Sequence, residues 1–98
     1  MIKRIVKLTF RPEEIDTFLA IFEEKKTAIR AFPGCQHLEL WRNREPDNVF
    51  FTYSYWNAPS DLEAYRHSAL FKSTWKQTKA LFADRPEAWS VDALFEGE

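Results

Sequence analysis

Residues Val49–Trp56 read Val-Phe-Phe-Thr-Tyr-Ser-Tyr-Trp, with Phe51, Tyr53 and Tyr55 on one parity and Phe50 and Trp56 on the other. Such a run of β-branched and aromatic residues favours a strand. A strand sends alternate side chains to opposite faces, so neither face of this one can meet water without exposing ring surface. The sheet that contains it must be covered on both sides.

The remaining elements supply one cover. Residues 2–10 alternate, with Ile2, Val6, Leu8 and Phe10 on one parity and Lys3, Ile5, Lys7 and Thr9 on the other, which predicts a first strand. Pro12 suits the first turn of a following helix, Glu13, Glu14 and Asp16 complement its positive N-terminus, and Lys25, Lys26 and Arg30 lie toward the negative end. Ile15, Phe18, Leu19, Phe22 and Ile29 form its apolar stripe, and Pro33-Gly34 ends it. Residues 36–42 alternate again, Leu38 and Leu40 opposite His37, Glu39 and Trp41, and a turn-rich stretch over 44–48 joins them to the aromatic strand as a hairpin.

Ser60-Asp61-Leu62-Glu63 reads as a capping box opening helical structure that runs to about Ala83. Along it Tyr65, Ser68 and Phe71, then Trp75, Thr78 and Phe82, recur at spacings of three and four, lining one side of a helix or of two short helices. Asp84-Arg85-Pro86 interrupts, and residues 89–95 alternate as a last strand. The order βαββαβ predicts an α+β, ferredoxin-like antiparallel sheet, one domain over residues 1–98, with both helical segments on one face. No further helix remains for the second face. The simplest cover is the same face of another copy, so a homodimer through the sheet face is expected. A chain of this size, burying only about 60 to 70% of its unfolded surface alone, gains from that partner.

Fourteen Lys and Arg against 15 Asp and Glu give a formal charge of −1, so no basic field exists to hold nucleic acid. No apolar run approaches the ~20 residues of a membrane-spanning helix. The single Cys35 forms no internal disulfide, and alternating Lys residues follow Met1 where a signal segment would be apolar, so the expected location is cytoplasmic. The two glycines, Gly34 and Gly97, make no phosphate-binding loop, and no nucleotide or flavin cofactor is expected. Cys35 and His37, placed at i, i+2 on one strand face, are too few for a closed zinc site, and no metal is expected.

His37 and His67 are the candidate bases, since imidazole titrates near ~6.5. His67 lies about 200° around an ideal helix from Tyr65, so it points to solvent if Tyr65 points inward. The face of His37 is left open. Ser68 lacks the Gly-x-Ser-x-Gly context of a nucleophile elbow and reads as a helix-breaking or packing serine.

Taken together, the element order, Pro33-Gly34-Cys35 before the second strand, Trp56 ending the third, and Tyr65-x-x-Ser68-x-x-Phe71 resemble the antibiotic biosynthesis monooxygenase family over nearly the whole chain. The resemblance implies a dimeric ferredoxin-like α/β-barrel with a small pocket between sheet and helices, and oxygenation of phenols or quinols without metal or flavin in some members. Related members degrade haem. Many members carry His nine residues after the strand-ending Trp, where this chain has Tyr65, and Trp75 stands where the haem-degrading relatives have their axial His. Trp cannot ligate haem iron, so haem degradation by that route is not expected.

The resulting expectation is a cofactor-independent monooxygenase for a small phenolic or polycyclic aromatic molecule. Tyr65 and His37 are the catalytic candidates, the first binding the substrate oxygen and the second taking its proton; Trp75, Phe71 and Tyr53 hold the ring. Two alternatives stay open: a non-catalytic small-molecule-binding or assembly dimer, and an isomerase or decarboxylase on the same barrel, which needs a positioned His or Arg in the pocket.

Overall fold

The structure, a computed structural model, describes residues 1–97. Its four strands are β1 (Ile2–Thr9), β2 (Cys35–Arg42), β3 (Val49–Trp56) and β4 (Glu87–Val91), and its helices are α1 (Ile15–Arg30), α2 (Pro59–Arg66) and α3 (Ala69–Lys79). The strands form one antiparallel sheet in the order β2-β3-β1-β4, with the helices against one face, the ferredoxin-like α+β arrangement that the element order implies.

The register sorts side chains by face. Leu8 opposes Phe50, and both point toward the helices, where they join Phe10, Ile15, Phe18 and Leu81 in the main core. Phe10 stacks on Phe18 with centroids 4.2 Å apart. A second cluster, Cys35, Trp56 and Leu62, closes the other end of the same face with Phe32 and Tyr65 beside it. On the outer face Ile5 lies between Tyr53 and Trp89, and Lys3 between Tyr55 and Val91. Two parities of β3 therefore serve two different layers.

Several local expectations are corrected. Residues 12–14 form a short 3-10 turn, and α1 proper starts at Ile15. Phe10 lies beyond β1 and bridges to Phe82. The expected capping box does not form: α2 begins at Pro59 after Ala58, with no side-chain cap, because proline at the first helical position presets φ and starts the helix one residue early, leaving Ser60 inside the first turn and not at the N-cap from which its hydroxyl would reach the Glu63 amide. Glu63 instead contacts Arg66 and His67. Ser68 is the true cap, of α3: its Oγ accepts from the Phe71 amide at 3.1 Å and donates to the Tyr65 carbonyl at 2.6 Å. β4 starts earlier and ends at Val91, and Leu94 and Phe95 lie outside any strand, 97% and 86% exposed.

At the turn into β2, Gly34 has φ +89°, a conformation that disfavours any side chain, and a Cβ there would lie 2.4 Å from that of Asp61 on α2. A β-bulge follows between Cys35 and His37. It turns Cys35 inward beside Trp56 while His37 pairs with Tyr55 on the outer face, so the two candidate ligands do not share a face.

Candidate functional site

Between the inner sheet face and the three helices lies a cavity of about 340 Å³. An engineered apolar cavity of roughly 150 Å³ takes benzene, so this volume suits a ligand of two or three fused rings. One wall is a continuous aromatic chain. Trp56 stacks on Tyr65 at 5.0 Å, Tyr65 meets Phe71 edge-on at 5.3 Å, and Phe71 stacks on Trp75 at 5.8 Å with planes 11° apart. The break at Ser68 makes this possible by letting α2 present Tyr65 and α3 present Phe71 and Trp75 to one space.

The polar groups on that space are few. Ser54 accepts from the Trp56 indole N–H at 3.0 Å, and Thr78 donates to the Thr74 carbonyl at 2.8 Å. The Thr74 hydroxyl is buried in the cavity lining with no hydrogen-bond partner among the described residues. Buried hydroxyls are normally satisfied, so an open one marks a place where a ligand or water bonds. Arg4 and Arg66 also line the cavity. Burial, then the charge of Arg66, pulls the Arg4 guanidinium below its usual range. Burial also pushes the Tyr65 phenol up to about 12, with a further contribution from Cys35. Tyr65 is a proton-holding donor at neutral pH and not a base.

Of the five expected site residues, Tyr65, Phe71 and Trp75 line this cavity, whereas His37 and Tyr53 lie on the opposite sheet face. There His37 stacks on Tyr55 at 4.7 Å and hydrogen-bonds to Glu39, which also accepts from the Trp41 indole N–H at 3.0 Å. The Trp41 and His37 bonds hold the Glu39 carboxyl below its usual range. Tyr53 sits between Trp41 at 4.7 Å and Tyr55 at 5.0 Å. Within one chain the two groups do not converge, because Tyr53 has the outward parity of β3 and His37 that of β2, opposite the Leu38 and Leu40 that face the helices. His67 points to solvent, as its angle from Tyr65 implies, and meets Glu63 at 2.7 Å.

Arg4, Ser54 and Thr74 were not singled out from the sequence, though each left a signal. Arg4 is a charge on the parity of Ile2, Val6 and Leu8, Ser54 falls between Phe50 and Trp56 on the inner parity of β3, and Thr74 is three residues after Phe71 and four before Thr78. Among the described residues no three His, Cys, Asp or Glu side chains converge as a metal-binding group, and no helix is long and apolar enough to cross a membrane.

A family model described as antibiotic biosynthesis monooxygenase matches residues 1–77. No curated protein matches the chain significantly. Among solved structures, one described as an antibiotic biosynthesis monooxygenase aligns with TM-score 0.90 and 21% identity over 96% of this chain and 99% of its own. Rv0793 from Mycobacterium tuberculosis aligns with TM-score 0.88 and 18% identity over 99% and 98% of the two chains. A conserved protein from Methanosarcina mazei Go1 aligns with TM-score 0.87 and 16% identity over 92% and 89%. At such identities the structures establish a shared fold.

Proposed function

The chain belongs to the antibiotic biosynthesis monooxygenase family, and we propose that it oxygenates a small phenolic or polycyclic aromatic substrate without a cofactor. The observation that carries this reading is the aromatic-walled cavity of about 340 Å³ with hydroxyls and arginines on its lining. A planar ring fits between the Phe71–Trp75 pair and Trp56, and the substrate oxygen meets the Tyr65 hydroxyl. The aromatic walls leave few water-accessible polar neighbours beside a bound ring, which strengthens each remaining polar contact.

In the proposed reaction the phenol loses its proton to solvent, since the cavity holds no histidine among the described residues. The phenolate gives one electron to O2, and the resulting radical pair joins to form a C–O bond at a ring carbon bearing hydrogen. The hydroperoxide then loses water to leave a quinone. One oxygen atom enters the ring, the other leaves as water, and all four electrons come from the substrate. The protein orients the ring and stabilises the anion.

We further propose a homodimer through the outer sheet face, where Trp41, Trp89 and Val91 remain 39, 44 and 38% exposed. Contiguous aromatic surface of this kind marks an interface. Scattering should give about twice 11.7 kDa, with at least ~1,200 Å² buried in total. The free thiol of Cys35 suits a reducing compartment, and we assign the enzyme to the cytoplasm.

Oxygen uptake tests the reading. With 1,4-dihydroxynaphthalene or 1-naphthol, protein-dependent O2 consumption with quinone formation is expected; consumption no faster than autoxidation contradicts it. Arg4 in the cavity lining also favours a decarboxylase or isomerase reading, which predicts turnover without oxygen. Binding with neither outcome would leave a non-catalytic dimer.

A further inference from the structure

Arg4 lies on β1, a strand paired on both edges, and points from the inner sheet face into the cavity lining. An apolar face that otherwise carries Val6 and Leu8 gives up a position to a charge there. A guanidinium has five N–H donors. Among the described residues this one makes a single side-chain hydrogen bond, to the neutral Ser90 hydroxyl at 3.0 Å, and has no carboxylate within ion-pair distance. The neighbouring charges compensate it only in part, since the repulsion of Arg66 outweighs the attraction of Glu63. Arg66 repels it, Glu63 is shared between Arg66 at 3.4 Å and His67 at 2.7 Å, and Glu87 pairs with Lys7. Withdrawing a charge from water is costly unless an opposite charge with matching hydrogen bonds completes the site. The unpartnered Thr74 hydroxyl is a second, independent open donor on the same cavity.

We propose that Arg4 binds an oxyanion of the aromatic ligand, a phenolate or an aryl carboxylate, with Thr74 as auxiliary donor, so that the cavity selects anionic aromatics over neutral ones. This rests on the cavity being the substrate site and supplies the activation that a histidine base would otherwise have provided. An adjacent arginine lowers an acid's pKa by roughly one to three units, so a phenol that ionises near ~10 in water would ionise near ~7 to 9 in the cavity, raising its phenolate fraction at neutral pH ~10 to 1,000-fold at most. The guanidinium fork meets oxyanions through two parallel bonds, whereas Arg66, exposed and engaged with Glu63, is a secondary contributor.

The test uses 4-nitrophenol, whose phenolate absorbs in the visible, with nitrobenzene as neutral control and 4-nitrobenzoate as the carboxylate arm. On binding, the nitrophenol titration should move down by about one to two pH units. Arg4→Gln should abolish the shift and weaken nitrophenolate or nitrobenzoate binding ~10 to 100-fold while leaving nitrobenzene unchanged. Arg4→Lys should keep part of the shift, and Arg66→Gln should alter it less than Arg4→Gln. The relative loss for nitrophenolate and nitrobenzoate tells which oxyanion the site prefers. An absent shift in the native protein, an unaltered shift in Arg4→Gln, or equal loss of nitrobenzene and the anions would overturn the proposal. Oxygen uptake is measured separately. An intact shift without uptake removes the oxygenase reading and leaves anion recognition standing, and uptake without a shift does the reverse.

Discussion

The two faces of the sheet are built from the same four strands, yet they treat polar groups in opposite ways. On the outer face every notable polar side chain is engaged with a neighbour: His37 and Trp41 both bond Glu39, and Lys3 pairs with Glu96 at 2.7 Å while lying over the Tyr55 ring. The inner face lines a half-open cavity on which, among the described residues, the Thr74 hydroxyl has no partner and Arg4 has only Ser90. A surface whose polar groups are satisfied among themselves while its rings stay partly exposed is suited to another apolar surface. A concave space with unfilled donors is suited to a ligand. The difference teaches that the aromatic strand β3 presents one parity to the cavity and the other to the outer surface, the first suited to the proposed ligand and the second to the proposed second copy.

The largest expected effect breaks the inner face. Trp56 is 1% exposed and holds Ser54 and Tyr65 in place, so Trp56→Ala should cost ~3 to 5 kcal/mol in urea unfolding and abolish cavity binding. Trp41→Ala, on the outer face, should leave cavity binding intact and act on self-association. Comparable loss of ligand binding in both variants would erase the distinction between the faces.

Next in size is an alkaline response from Tyr65. Its phenol, raised from 10.0 to about 12 in the folded chain, stays protonated where the unfolded chain has already ionised. The contribution is therefore complete below pH ~10 and falls away as pH rises toward ~12, on the order of 2 to 3 kcal/mol in total. Tyr65→Phe should flatten the stability profile over that window. The same variant should lower turnover of a phenolic substrate ~10 to 100-fold if the hydroxyl serves the anion. A lowered melting temperature with full activity would assign Tyr65 to packing alone.

On the outer face, Tyr53→Asp introduces a charge between Trp41 and Tyr55 and should weaken dimerisation by about 2 kcal/mol or more, read by sedimentation. Cavity binding should persist in the monomer. The smallest effect belongs to Thr74→Val. Removing an unpartnered buried hydroxyl should leave the unliganded protein unchanged or up to ~1 kcal/mol more stable while weakening a ligand that uses it. A clear destabilisation would mean that the hydroxyl is already satisfied.

Much of the fold was legible because periodicity reports faces directly. The alternation of β1 and β3 and the stripe of α1 placed the core residues, and Pro33-Gly34 marked its turn correctly. The bulge after Cys35 was not legible, since one extra residue in a pairing leaves no trace in composition, and it set Cys35 and His37 on opposite faces; His37 itself follows the parity of Glu39 and Trp41, opposite the Leu38 and Leu40 that face the helices. Tyr53 failed to join Tyr65 for a simpler reason: a helix-borne and a strand-borne ring share a space only if the strand parity faces the helices, and Tyr53 has the other parity. Ser60 and Ser68 illustrate competition between caps. Pro59 started α2 without help, whereas Ser68, followed by no proline, capped α3. Arg4, Ser54 and Thr74 were visible only as polar interruptions of apolar series, and such interruptions acquire meaning once a cavity is seen behind them.

The most direct measurement follows the indole N–H resonances of the four tryptophans, two on each face: Trp56 and Trp75 inside, Trp41 and Trp89 outside. Titration with 4-nitrophenol should shift Trp75 and Trp56 in proportion to ligand bound and leave Trp41 and Trp89 in place, while dilution of the protein should move Trp41 and Trp89 and spare the inner pair. Ligand-dependent shifts confined to Trp41 and Trp89, with Trp56 and Trp75 unmoved, would contradict the assignment of the inner cavity as the site.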